Sequence, residues 1–270
     1  MPWGVTFGQV LRDFASARPL LTGGRRPCCV NYHNSPQTRV DSVNTSNHSP
    51  TSEGAAPSLV IEYFFDFVCP WCLIGKRHLR IAMILLADLR PDVQVRVLWR
   101  SHQLLPDIPP GGVSYQPFYI ARLGSAEAVV RRRAEVQQAG NPAGIQFAFE
   151  RIEVMPNTVA AHNLSTWAAE NGTEAQQSAL IESLFAAYFM IGEDIGDPSV
   201  LQRRALACGL EAEGLQKHLA DSDEQNGIMR SPQADYVSGV PFFVFNGKHA
   251  ISGAYPPETL VQVMLQSIQG

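Results

Sequence analysis

The strongest constraint on this chain is a four-residue motif, Cys69-Pro70-Trp71-Cys72, set between a short apolar run and a long stretch of helical periodicity. Residues 59–65 are β-branched and aromatic and read as a buried strand. Asp66-Phe67-Val68 turns out of it, and the motif then opens a helix. Its apolar positions Leu73, Leu79, Met83, Leu86 and Leu89 run to Arg90, where Pro91 stops it. Val93, Val95 and Val97 alternate with Gln94 and Arg96 toward Trp99, the pattern of a second strand. Strand, helix, strand requires two parallel strands joined by a right-handed crossover.

Beyond Pro106 the period changes. Residues 115–123, 126–138, 158–170, 174–191, 198–208 and 214–219 read as helices, with Ser125, Asn157, Thr173 and Asp197 as candidate caps. Strand character returns at 240–245 and 248–252, joined by Asn246-Gly247, the dipeptide of a tight hairpin. Pro257-Glu258 opens a last helix through Val261, Met264 and Ile268. The order β, α, β, helices, β, β, α predicts an α/β protein: one mixed sheet with a large all-helical domain inserted into it. The expected boundaries are 58–101 and 236–270 for a discontinuous α/β domain and 102–235 for the insert.

Residues 1–57 read as a disordered N-terminal extension. From Asn31 to Pro57 they are mostly Asn, Ser, Thr, Pro and Gly, too poor in large apolar side chains to offset chain entropy. Phe7, Val10, Leu11 and Phe14 fall at helical spacing among Arg12 and Arg18, as in an organelle presequence, although Asp13 sits among them. With 17% charged residues and a net charge of −4, the chain has no basic surface for nucleic acid. No apolar run approaches the roughly 18 residues that cross a bilayer. The expectation is a soluble cytoplasmic protein, or an organelle-matrix one if the extension is a presequence.

Five cysteines, at 28, 29, 69, 72 and 208, leave one thiol without an intramolecular partner, which suits a reducing compartment or cysteines that act. At a helix start, Cys69 Sγ would face unsatisfied N–H groups and the positive end of the helix dipole, favouring its thiolate below the free value of about 8.5. Cys72, one turn on, would sit behind it, less reactive but close enough to form a disulfide. Pro70 fits the first helical position, where a missing N–H costs nothing. A metal site would need a second Cys/His pair that the chain does not offer, so no metal is expected. Two structural cysteines are the plain alternative, and Cys208 reads as inert and buried. Asp66 is read as a helix cap or a proton relay, with capping preferred. Arg131–Arg133 reads as a solvated helix face. At Gly239-Val240-Pro241-Phe242, Pro241 begins a strand; a trans bond is the ordinary form, while a cis bond would turn the Val240 backbone toward Cys69.

Residues 64–72 (Phe-Phe-Asp-Phe-Val-Cys-Pro-Trp-Cys), then Gly75-Lys76, Pro156-Asn157-Thr158, Ala161-His162, and the ending 239–247 with Ser252-Gly253-Ala254 resemble the DsbA-like thioredoxin superfamily, in particular its FrnE-type branch. The likeness spans about 58 to 268. It implies a thioredoxin fold with the inserted helical domain, thiol–disulfide oxidoreductase chemistry at Cys69 and Cys72, and a cis bond before Pro241. It also implies substrate binding at Val240, Pro241, Pro70 and Trp71, and a pocket role for Asn157 and His162. Where many relatives have Arg-Pro-Phe, this chain has Arg100-Ser101-His102, so its pocket rim should differ.

The superfamily also holds kappa-class glutathione transferases and 2-hydroxychromene-2-carboxylate isomerases, which place Ser at the position of Cys69. A glutathione-dependent isomerase or transferase is therefore the alternative function, and a holdase chaperone using the helical domain is a third. Keeping both sulfurs favours redox chemistry on a disulfide- or thiol-containing protein or small molecule. No bound cofactor is expected, and glutathione is a candidate co-substrate. With Trp71 in place of the imidazole of a Pro-His dipeptide, a potential on the order of −200 to −270 mV is expected.

Overall fold

The computed structural model describes residues 56–221 and 237–269. The readings made for residues 1–55, Cys28-Cys29 included, lie outside the described residues, as does the expected boundary at 235/236. Strand β1, Ser58–Phe65, is central, and its buried face carries Leu59, Ile61, Tyr63 and Phe65. Helix α1, Pro70–Leu89, returns the chain to β2, Gln94–Ser101, which pairs parallel to β1 with Tyr63 beside Trp99. On the other side, β5, Phe242–Phe245, pairs antiparallel to β1, and β6, His249–Ser252, completes the order β2-β1-β5-β6. A sheet built from both ends of the described chain with helices between is the mixed α/β arrangement that the sequence order predicts.

Helix α1 buries Leu73, Leu79, Ala82 and Leu86 and packs beside α8, Pro257–Gln269, which buries Leu260, Val261 and Met264. Each of these leucine, valine and methionine side chains contributes roughly 1.5–3 kcal/mol through area removed from water. The helix can lie this close to the sheet because residue 75 is glycine. A Cβ there would sit 3.1 Å from the Tyr63 hydroxyl and 3.3 Å from the Pro241 ring. At the hairpin, Asn246 and Gly247 take φ of 49° and 65° and Lys248 N–H closes the turn on the Phe245 carbonyl. The Asn246 side chain also accepts from Val60 N and donates to the Ser58 and Ser267 carbonyls, tying the hairpin to β1 and α8. Strand β5 starts at Phe242 rather than at 240, because Pro241 has no N–H to give a ladder.

Between the two halves of the sheet run β3 (Val113–Ser114), α2 (Tyr115–Leu123), α3 (Ala126–Gly140), β4 (Val154–Met155), α4 (Val159–Asn171), α5 (Glu174–Ala186), α6 (Pro198–Ala207) and α7 (Ala212–Asp221). Ser125, Thr173 and Asp197 cap their helices through side-chain oxygens, Thr173 in a reciprocal box with Gln176. Asn157 sits one residue outside the N-cap of α4, which is Thr158, and its Oδ1 accepts from Val159 N. The single helix expected over 174–191 is two pieces, since Ala187–Ile191 is a π-helical turn. There the Phe189 carbonyl is taken by Ala148 N–H, and the wider turn ends on Gly192 at φ 86°. Arg133, expected on a solvated face, lies half-buried over the rings of Tyr115 (5.2 Å) and Phe149 (5.9 Å), while Nη2 donates to Gln116. An arginine stem and planar cation pack well on aromatic faces, which charge patterning does not reveal. Cys208 is half-buried rather than fully so.

Candidate active site

Cys69 occupies the N-cap position of α1, with extended backbone (φ −94°, ψ 108°), and Pro70 follows at the first helical position. Its own N–H bonds the Asp66 carbonyl at 3.1 Å, and Cys72 N–H bonds the Cys69 carbonyl at 3.0 Å, so the motif is wound tightly onto the helix start. The Sγ makes no side-chain cap bond to the helix N–H groups. Instead its S–H donates to the Val240 carbonyl, 3.6 Å away and 171 positions along the chain. The Val240–Pro241 peptide bond is cis. Cys69 and Cys72 are free thiols, 5% and 0% exposed.

The two sulfurs differ in environment. Burial, then the hydrogen bond to Cys69 and the negative charges of Cys69 and Asp66, push the Cys72 thiol well above its ordinary range, with a backbone hydrogen bond from Asp66 acting in the opposite sense. Cys72 is therefore held protonated at neutral pH.

Asp66 is not a helix cap. Its carboxylate is fully buried and turned away from α1, accepting Leu104 N–H at 2.7 Å and facing His162 Nε2 at 3.2 Å. Pro70 removes one amide that a cap would satisfy, and the buried carboxylate instead takes the Leu104 amide and faces the His162 ring. His162 comes from α4, is 0% exposed, and lies against Phe65 and Phe67 with ring centroids at 5.3 and 4.9 Å. Its Nδ1 finds no hydrogen-bond partner. Among the described residues His162 has no exposed surface with which to line an open pocket. Asn157 also holds structure, donating to the Ile108 carbonyl at 2.6 Å and accepting from Gln103.

Pro70 borders a cavity of about 30 Å³ that it shares with Tyr115, Tyr119, Arg133 and Phe149. Trp71, between the two cysteines, is half-buried and packs on the core. Burial first, then Tyr115 and the charge of Cys69, raise the Tyr119 hydroxyl well above the tyrosine range, and Tyr115 is pushed up to about 12, chiefly by burial. Arg100, at the divergent rim, pairs with Glu62 at 2.8 Å. Among the described residues no group of three or more His, Cys, Asp or Glu could hold a metal ion, and no helix is long and apolar enough to cross a membrane.

Tyr63 is the site residue that sequence reasoning missed. Fully buried on β1, it donates to the Cys72 carbonyl at 2.6 Å. The signal was available: a hydroxyl amid Leu59, Ile61 and Phe65 must find a partner once buried, and the next element in the chain supplies it.

The family model described as "DSBA-like thioredoxin domain" matches residues 60–264. YwbO, an uncharacterized protein of Bacillus subtilis (strain 168), is 22% identical over 198 residues, 72% of this chain and 90% of that protein. A probable DsbA oxidoreductase from Streptomyces coelicolor superposes with a TM-score of 0.66 at 24% identity, covering 77% of this chain and 89% of the other. A 2-hydroxychromene-2-carboxylate isomerase structure gives a TM-score of 0.49 at 16% identity, covering 77% and 95%.

Proposed function

The chain belongs to the DSBA-like thioredoxin domain family, and from that premise we propose that it is a thiol–disulfide oxidoreductase, of the FrnE type, working through Cys69 and Cys72. The observation that carries this reading is the position of Cys69 Sγ, at the start of α1 and 3.6 Å from the Val240 carbonyl, with the fully buried Cys72 thiol in the first turn behind it.

Cys69 thiolate attacks a substrate disulfide, forming a mixed disulfide and releasing one substrate thiol. Cys72 then attacks Cys69 Sγ, the bond between Cys69 and substrate breaks, and the second thiol leaves with the proton that Cys72 gives up. The unequal environments of the sulfurs support the order, since Cys72 stays a thiol until an acceptor disulfide stands beside it. Val240 offers its backbone to a substrate chain, with Pro241, Pro70 and Trp71 forming the apolar surround. Glutathione is the small thiol to test first as recycling partner. The odd cysteine count suits a reducing compartment such as the cytoplasm, where exchange would run toward reduction of substrate.

The test is reduction of insulin or a small disulfide. Cys69→Ser should abolish it, and Cys72→Ser should accumulate a covalent adduct at Cys69. Undiminished activity in Cys69→Ser would overturn the reading.

A further inference from the structure

Of the four residues that β1 buries on this face, Leu59, Ile61, Tyr63 and Phe65, only Tyr63 carries a polar atom. Its hydroxyl donates at 2.6 Å to the Cys72 carbonyl, an oxygen that already accepts in the α-helical ladder of α1. The helix therefore does not need it. What the placement does achieve is proximity to the second cysteine: the hydroxyl is bonded to the residue that carries the buried sulfur, and is walled in by Gly75, Pro241 and Phe243. Burial, then the charges of Cys72 and Cys69, keep it protonated far beyond neutral pH, so it is a standing donor and never a base. The other titratable groups around Cys72 are Cys69 on its own turn, Asp66 with His162 of α4 behind it, and Lys76 one turn on, which is paired to Glu182 of α5.

We propose that Tyr63 is a positioning residue for the second half of the exchange, its hydroxyl turning from the Cys72 carbonyl to the Cys72 sulfur as that sulfur loses its proton and attacks Cys69. This rests on the redox reading above. In the balanced step, the Cys69–Cys72 bond forms, the Cys69–substrate bond breaks, and the proton ends on the released thiol; Tyr63 keeps its own proton throughout.

The experiment adds 5,5′-dithiobis(2-nitrobenzoate) to the reduced full-length chain, quenches in acid at intervals, and maps the tryptic peptide ending at Lys76, which holds Cys69 and Cys72 and no other cysteine. In Tyr63→Phe the Cys69 adduct should form at the unsubstituted rate. Its closure to the internal disulfide should slow about tenfold at pH 7, with the pH midpoint of closure moving up by about one unit, the scale of one hydrogen bond to a charged group. Closure at the original rate and midpoint overturns the proposal. Failure of the adduct to form in the unsubstituted chain defeats the redox reading instead. Should Tyr63→Phe not fold, 3,5-difluorotyrosine at position 63, a stronger donor of the same shape, should move the midpoint down, and an unmoved midpoint overturns the proposal.

Discussion

His162 Nε2 lies 3.2 Å from Asp66 Oδ1 with both side chains fully buried, so a residue of the helical stretch is tied to the turn directly before the cysteines. The contact spans 96 positions of sequence and sits where β1 hands over to α1.

The first prediction concerns this pair. Asp66→Ala takes the carboxylate partner from the Leu104 amide and from the fully buried His162 ring and should cost about 3 kcal/mol in urea denaturation. Asp66→Asn keeps one acceptor and should cost less, about 1–2 kcal/mol. Equal stability of Asp66→Ala and the parent would show that the carboxylate holds nothing in place.

A second concerns the helix–sheet approach. Gly75→Ala puts a methyl 3.1 Å from the Tyr63 hydroxyl, 3.3 Å from the Pro241 ring and 3.4 Å from Phe243, none of which has room to withdraw. Overpacking of this kind costs about 1–3 kcal/mol, read as a lowered melting temperature. Because the strain falls on both Tyr63 and Pro241, exchange activity should drop as well.

The third is electrostatic. Lys76, almost fully buried, pairs with Glu182 at 2.7 Å, and Arg77 joins from the other side at 3.0 Å. Burial lowers the Lys76 ammonium even though Glu182 pulls the other way. Burial alone would raise the Glu182 carboxyl, but Lys76 and then Arg77 outweigh it and hold it low. Glu182→Gln strands the ammonium and should cost about 2 kcal/mol, discounted from a fully buried pair because Glu182 is one-third exposed. The double change Lys76→Met with Glu182→Leu should recover most of that, measured by the same melts.

The same pair sets a pH dependence. A carboxyl lower in the fold than in the unfolded chain adds stability that is complete above the unfolded value of about 4.3 and is lost as pH falls through the folded one. Acid titration of unfolding free energy should therefore be shallower below pH 4.3 in Glu182→Gln than in the parent. Lys76 acts in the other sense, since its buried charge costs stability at neutral pH and the cost fades in alkali.

The last prediction follows from the Cys72 thiol. In Cys69→Ser the hydrogen bond and charge of Cys69 are gone, but burial, the largest cause, remains. Iodoacetamide should label Cys72 more slowly at pH 7 than unfolded-chain cysteine, with the rate climbing only at a pH above that of a free thiol. Mass spectrometry of the peptide ending at Lys76 reads it directly. Rapid labelling at neutral pH would contradict the buried, protonated assignment.

By itself, the sequence determined the elements and their order. The apolar run of β1 and the alternation of β2, the periodicity of α1 with Pro70 at its start, the Asn246-Gly247 turn and the caps at Ser125, Thr173 and Asp197 are all specified by residues within a few positions of one another, where period and turn chemistry operate. Only the tertiary structure decided which polar group meets which. Asp66 holds Leu104 and His162 rather than capping α1, Cys69 Sγ turns to a carbonyl far along the chain rather than to its own helix, and Tyr63 reaches under α1 to Cys72. The reason is that a buried donor or acceptor takes whichever partner remains once the apolar faces have closed, and no local pattern encodes that remainder.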